Sequence, residues 1–198
     1  MQKSINTKSI SVMAIMGAIG FILMLLEFPL PFIIPDFIKF DFSELPAIIT
    51  AFALGPIEGI VVCFLKNLLH LFVTTTAGVG ELSNFILGAI FVGVAGFIYK
   101  YKKTRAGALI GSLSGGFLMA AISVATNFFV VYPAYEKILG FPMPAIVAKY
   151  QEILPSVDSL FKCLIIFNLP FNFAKGIIVS VLCFIIYKKL SPILKSKK

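Results

Sequence analysis

A few polar residues stand out in an otherwise apolar chain, and their spacing is regular. In Asn168-Leu-Pro-Phe-Asn172-Phe-Ala-Lys175, two amides and an ammonium recur at i, i+4 and i+7, which on a helix places all three on one face. Lys66, Asn67 and His70 form a second group, with Lys66 and His70 at i, i+4. Gly78-Val-Gly-Glu81-Leu-Ser-Asn84 forms a third, and Asn127 stands alone in its apolar run. An ammonium inside such a run costs a few kcal/mol in lipid, so it needs a partner or a task. Amides offer donors and acceptors and an ammonium offers donors alone, a set suited to reading the edge of a flat heterocycle. The competing use is interhelical hydrogen bonding that holds a bundle together.

Catalytic signatures are missing. The chain has no G-x-x-x-x-G-K-[ST] loop to cradle ATP, no G-x-S-x-G, no H-E-x-x-H and no Cys/His pair spaced for nucleophilic attack. Glu58 and Glu81 lie in different apolar runs, with nothing to pair them as acid and base. A lone histidine, His70, excludes a His-based metal centre. Binding rather than catalysis is expected, with no metal and no cofactor.

The elements that carry these residues are built for lipid. Of 198 residues, 59% are hydrophobic and only 13% charged, with a mean hydropathy of +1.01. A soluble core of this size cannot hide so much apolar surface. Cys63, Cys163 and Cys183 all sit in apolar runs without metal or redox spacing. The run from Ile10 to Leu26 is too long for a signal peptide and lacks a cleavage site, so it reads as a first span. Six spans are expected, at 9–27, 43–55, 57–73, 81–99, 106–132 and 159–187. About 20 residues cross roughly 30 Å of hydrocarbon, so 43–55 is too short unless the segment before it contributes.

Charge placement tests this count. With the N-terminus inside, the inner segments carry Lys3, Lys8, Lys100, Lys102, Lys103, Arg105, Lys188, Lys189, Lys195, Lys197 and Lys198. The outer connections carry only Lys39, Lys137 and Lys149. That asymmetry fits six spans with both termini cytoplasmic, and it assigns the net charge of +8 to topology and headgroups rather than to nucleic acid. No repeated half is found, so an inverted-repeat transporter is not supported. The expected fold is all-α: one membrane domain, 1–198, of six transmembrane helices.

Two further features shape the expectation. FPLPFIIPDFIKFDFSELP, residues 28–46, packs four prolines, five phenylalanines and the charges Asp36, Lys39, Asp41 and Glu44 into one connection. Its prolines forbid a continuous helix, so it is expected to dip back into the bundle as a lid. Small residues recur at helical spacing at Ala14 and Ala18, and at Gly107, Gly111 and Gly115, where they allow close helix approach. The glycines read as internal packing. For Ala14 and Ala18, internal packing and a docking face for another membrane protein stand level.

The runs FPLPFIIPDFIKFDFSELPAIITAFALGP, LKNLLH and GVGELSNFILG, with the later Asn172-Phe-Ala-Lys175, resemble the substrate-binding (S) components of energy-coupling factor vitamin transporters, specifically the riboflavin-specific member. The resemblance runs from Ala14 to Lys175. It implies a multi-pass protein of a bacterial cell membrane that captures riboflavin from outside and joins a transmembrane coupling protein and two cytoplasmic ATPases. It implies that Ala14 and Ala18 meet the coupling protein, and that the loop after helix one folds back as part of the pocket and its gate; Phe37 and Lys39 are the residues of that loop expected at the ligand. It also implies that Asn84, Asn127, Asn172 and Lys175 grip the flavin ring, with Glu81 beside them. The residue chemistry agrees: amides and an ammonium can read the pyrimidine edge, and phenylalanines can cover its plane. The ribityl hydroxyls would suit Asp41, Ser43 or the Val79-Gly80 backbone. An S component for another vitamin or heterocyclic precursor is the alternative.

Overall fold

The computed structural model describes residues 7–195; Lys3, Lys197 and Lys198, expected on the inner side, lie outside the described residues. Helix α1 (Thr7–Leu25) leads into a connection holding a minimal antiparallel pair, β1 (Phe28–Pro29) and β2 (Lys39–Phe40), in the register Phe28↔Phe40 and Pro29↔Lys39. Helices α2 (Glu44–Ala53), α3 (Pro56–His70), α4 (Val79–Tyr101) and α5 (Arg105–Thr126) follow. Two short helices, α6 (Tyr132–Leu139) and α7 (Met143–Gln151), precede α8 (Leu160–Cys163) and α9 (Leu169–Lys195).

Five helical stretches among the described residues are long and apolar enough to cross a membrane: Thr7–Leu25, Pro56–Val73, Val79–Tyr101, Arg105–Leu139 and Leu160–Ile186. Helix α2 is not one of them. Its ten residues rise about 15 Å, half the hydrocarbon thickness. The expected span 43–55 is therefore a half-length helix preceded by the folded connection, whose Ile34 and Phe40 are buried in the same apolar cluster as Tyr132 and Phe171. The expected span 106–132 also runs on, through α6 to Leu139.

Glycine and proline set the geometry. Gly55, with φ of 148°, ends α2, and Pro56 opens α3. Pro fits the first helical turn because its missing N–H has no helical partner there, and the positive φ is one that side-chain-bearing residues avoid. Two π turns, Asn127–Val131 and Leu164–Asn168, interrupt the longest stretches. In the first, the Tyr132 N–H bonds the Asn127 carbonyl; in the second, the Leu169 N–H bonds the Leu164 carbonyl. The next residue is proline in both cases, Pro133 and Pro170. Proline cannot donate to the helical ladder, so the turn before it widens.

The glycines of α5 are internal packing, as expected. A Cβ on Gly111 would lie 2.8 Å from the Ala95 carbonyl oxygen, and one on Gly115 would lie 2.5 Å from that of Phe91, so α4 and α5 meet backbone to backbone. In lipid this contact replaces the hydrophobic drive for helix association. Gly116 faces Gly176 of α9, where a Cβ would have ordinary contacts at 3.6 Å. Gly115→Ala should therefore lower thermal stability in detergent, by roughly 1–3 kcal/mol of overpacking. Gly116→Ala, one residue along the same helix, should be neutral or slightly stabilising. Equal melting temperatures for the two variants would refute the backbone contact.

Candidate functional site

Between the 26–43 connection and helices α3, α4, α5, α6 and α9 lies a cavity of about 170 Å³. Nine of the eleven residues expected at the ligand are on its wall, Phe37, Lys39, Asp41, Gly80, Glu81, Asn84, Asn127, Asn172 and Lys175, together with His70 and Asn168 of the polar groups noted in the sequence. The two π turns supply Asn127, Val131 and Asn168, so the widened turns lie at the level of the cavity. Pro170 thus shapes the wall that carries the Asn168, Asn172 and Lys175 stripe.

Beneath the wall is a buried ionic cluster. Lys175 Nζ lies 2.8 Å from Asp41 Oδ2 and 3.1 Å from Glu44 Oε2. Lys66 Nζ donates to Glu44 Oε1 at 2.9 Å, to Asn84 Oδ1 at 2.7 Å and to Ser43 Oγ. Two carboxylates thus meet two ammoniums, and Glu44 bridges both lysines. Asp41 also accepts the Ser43 backbone N–H at 2.7 Å, which fixes the turn into α2. Buried charges are tolerated only when paired and hydrogen-bonded, and this cluster is both.

Ser43 and Val79 do not reach the wall. The Ser43 hydroxyl, fully buried, accepts from Lys66, and Val79 packs in the apolar cluster with Tyr132 and Tyr135. The Val79 and Gly80 N–H groups are also taken, by the Thr76 carbonyl at 3.1 Å and the Thr76 hydroxyl at 3.0 Å. Glu81 is occupied as well. One of its oxygens lies 2.8 Å from His70 Nδ1, and the other accepts from Thr76 Oγ1 at 3.0 Å.

Several wall residues fell outside the sequence-derived set. Glu44 lines the cavity, and its place in the FDFSELP run was the available signal. Tyr132 and Tyr135 contribute as well; their i, i+3 spacing marks a helix face, but the face was hidden at a span end. Tyr132, Tyr150 and Asn168 close a ring of hydrogen bonds. Tyr150 donates to Asn168 Oδ1 at 2.6 Å, and Asn168 Nδ2 donates to the Tyr132 hydroxyl at 3.2 Å. Having given its one proton to Asn168, Tyr150 accepts from Tyr132, at 2.5 Å. Phe37 of the connection rests edge-on against Tyr132, Tyr135, Phe141 and Tyr150, with centroids 6.0–6.5 Å apart. Lys39 pairs with Glu27 at 2.5 Å. The Lys39–Glu27 pair thus joins the two ends of the connection, while the Phe37 ring contacts and the Asp41–Lys175 pair tie it to the bundle.

Ala14 and Ala18 lie elsewhere, exposed on α1. Gly17 and Gly20 of the same helix are buried against Leu65 and Lys66 of α3. One face of α1 therefore packs inward while the alanine face stays open.

The profile of a family described as "ECF transporter, substrate-specific component" matches residues 8–187. The chain is 33% identical over 197 residues to the riboflavin transporter FmnP of Bacillus subtilis (strain 168), covering 98% of this chain and 97% of that one. It is 31% identical over 191 residues to the riboflavin transporter RibU of Staphylococcus aureus (strain TCH60), covering 96% and 94%. A solved S component of a bacterial ECF transporter superposes with a TM-score of 0.74 at 30% identity, covering 95% of this chain and 98% of that one.

The ionic cluster predicts a stability pattern. Lys175→Met strands the buried Asp41 carboxylate and leaves Glu44 with Lys66 alone, and should cost about 3–5 kcal/mol, read as a lower melting temperature in detergent. Adding Asp41→Asn removes the stranded charge and should restore part of the loss. A double variant no more stable than Lys175→Met alone would contradict the pairing.

Proposed function

The chain belongs to the family of substrate-specific components of ECF transporters, and we propose that it is the riboflavin-binding subunit of such an importer. The observation that carries this reading is the cavity wall, where Asn84, Asn127, Asn172 and Lys175 are gathered with Phe37, Tyr132 and Phe171. An isoalloxazine ring needs this combination. Its pyrimidine edge alternates acceptors with one N–H donor, and its faces and xylene side need apolar and aromatic cover. Leaving either partner's polar groups unpaired on burial would cost more than the hydrogen bonds return, so wall and ligand must match. The protein captures and hands over its ligand; riboflavin is cargo, neither cofactor nor substrate of a reaction.

The finer architecture follows from the same reading. One membrane domain has six transmembrane elements, the second being α2 completed by the connection before it, and both termini are cytoplasmic. The support is the distribution of Lys and Arg, eleven on the inner segments against three on the outer connections. The connection with Phe37 and Lys39 is the lid, since its rings seat on Tyr132, Tyr135, Phe141 and Tyr150 at the cavity edge. The ribityl chain meets Asp41, Lys39 or Glu81, the polar wall residues nearest the connection in sequence or facing the same cavity. The open Ala14 and Ala18 face is the docking surface for the transmembrane coupling protein, which carries two cytoplasmic ATPases.

Purified protein should quench riboflavin fluorescence on titration. Asn172→Ala and Asn127→Ala should each weaken binding about tenfold, the worth of one buried hydrogen bond to the ligand. Absence of quenching by the wild type, with another vitamin binding in a competition panel, would replace riboflavin by that vitamin. For the docking face, Ala14→Arg should leave riboflavin binding intact but abolish uptake by vesicles holding the complete transporter. Unimpaired uptake would move the contact elsewhere.

A further inference from the structure

Lys66 is fully buried and is not on the cavity wall, yet it determines what one part of that wall offers a ligand. An ammonium has three N–H donors and no acceptor. In Lys66 all three are used, on Ser43 Oγ, Glu44 Oε1 and Asn84 Oδ1. The atom of Asn84 at 2.7 Å from Lys66 must therefore be the oxygen, because nothing else in an amide can accept. The Asn84 NH₂ is left toward the cavity with no hydrogen-bond partner among the described residues. Asn172 is set differently. Its Nδ2 uses one of its two N–H groups on the backbone carbonyl of Asn168 at 2.9 Å, and a carbonyl can only accept, so the oxygen is identified and stands open as an acceptor beside the second N–H.

We propose that Lys66 is a positioning residue for ligand specificity: it locks the Asn84 amide so that the cavity presents an N–H there and never a carbonyl. The Asn172 oxygen is an open acceptor on the same wall, so a fixed donor at Asn84 stands with an available acceptor at Asn172. This pairing favours heterocycles that carry a carbonyl or ring nitrogen for Asn84 and an N–H for Asn172, as an imide edge does. A ring that brings an N–H to Asn84 sets donor against donor there and leaves both unpaired. Glu44 completes the device. By bridging Lys66 and Lys175 it holds the Lys66 ammonium in place through the same carboxylate that holds the cationic wall residue. This inference rests on the riboflavin reading.

The test is a double-mutant cycle with riboflavin as the probe, read by fluorescence quenching on detergent-purified protein. Asn84→Ala should weaken binding about tenfold. Lys66→Met should weaken it severalfold with Asn84 present, but less than about twofold in the Asn84→Ala background, because the amide it positions is gone. Equal losses in both backgrounds, the result of a general structural role, overturn the inference while leaving the riboflavin reading intact. A wild type that does not bind riboflavin overturns both. If Lys66→Met does not fold, Asn84→Asp decides. Its carboxylate still accepts from Lys66 but turns an acceptor toward the cavity, so binding should fall at least about tenfold with the melting temperature retained. Asn84→Asp that binds like the wild type, or that loses the fold, overturns the inference.

Discussion

Glu44 holds two lysines at once, and the cavity depends on that bridge. Its carboxylate is contributed by the first turn of α2, Lys66 comes from α3 and Lys175 from α9, while Asp41 and Ser43 belong to the connection before α2. One ionic cluster thus ties three helices and the connection to a single point. In a low-dielectric interior, a missing member leaves an uncompensated charge, which lipid and protein tolerate poorly. The cluster therefore specifies where the half-length α2 begins and how the proline-rich connection enters the bundle. Apolar packing alone would leave those placements loose, because lipid solvates an apolar helix face as well as protein does.

Around this centre, two kinds of residue set the space available. Glycines bring α5 against the α4 backbone at Phe91 and Ala95, which closes one half of the bundle. Prolines 133 and 170 open the other half, because each forces a π turn in the residues before it. The cavity lies in the opened half, and those turns contribute Asn127 and Asn168 to its polar wall. Closure by glycine and opening by proline meet on one stretch, Arg105–Leu139.

Membership of the ECF substrate-specific components and the riboflavin reading meet in this wall. A ligand with a flat, edge-polar ring is matched by amides whose orientations the protein has already fixed. Pre-set amides need no reordering on binding and so waste little affinity on it. The tyrosine ring of Tyr132, Tyr150 and Asn168 serves the same end at the cavity edge, holding α6, α7 and the second π turn in register with Phe37 of the connection.

Much of this was legible in the residues themselves. Hydropathy marked the long spans, because lipid demands uninterrupted apolar helix. The Asn168, Asn172 and Lys175 stripe followed from helical periodicity, and the α5 glycines from their four-residue spacing. Other facts depended on tertiary structure for a physical reason: hydrogen bonds and ion pairs join residues far apart in the chain, and periodicity reports only neighbours. Lys175 and Asp41 are separated by 134 positions, so nothing local could pair them. For the same reason Ser43 could be placed at the ligand when it serves Lys66, and Glu44 could pass unnoticed while holding the cluster together. The sequence by itself determined that the chain crosses a membrane and that polar residues share helix faces. Only the tertiary structure decided which of those residues face the cavity, which face each other, and which atom of the Asn84 amide is left to the cavity.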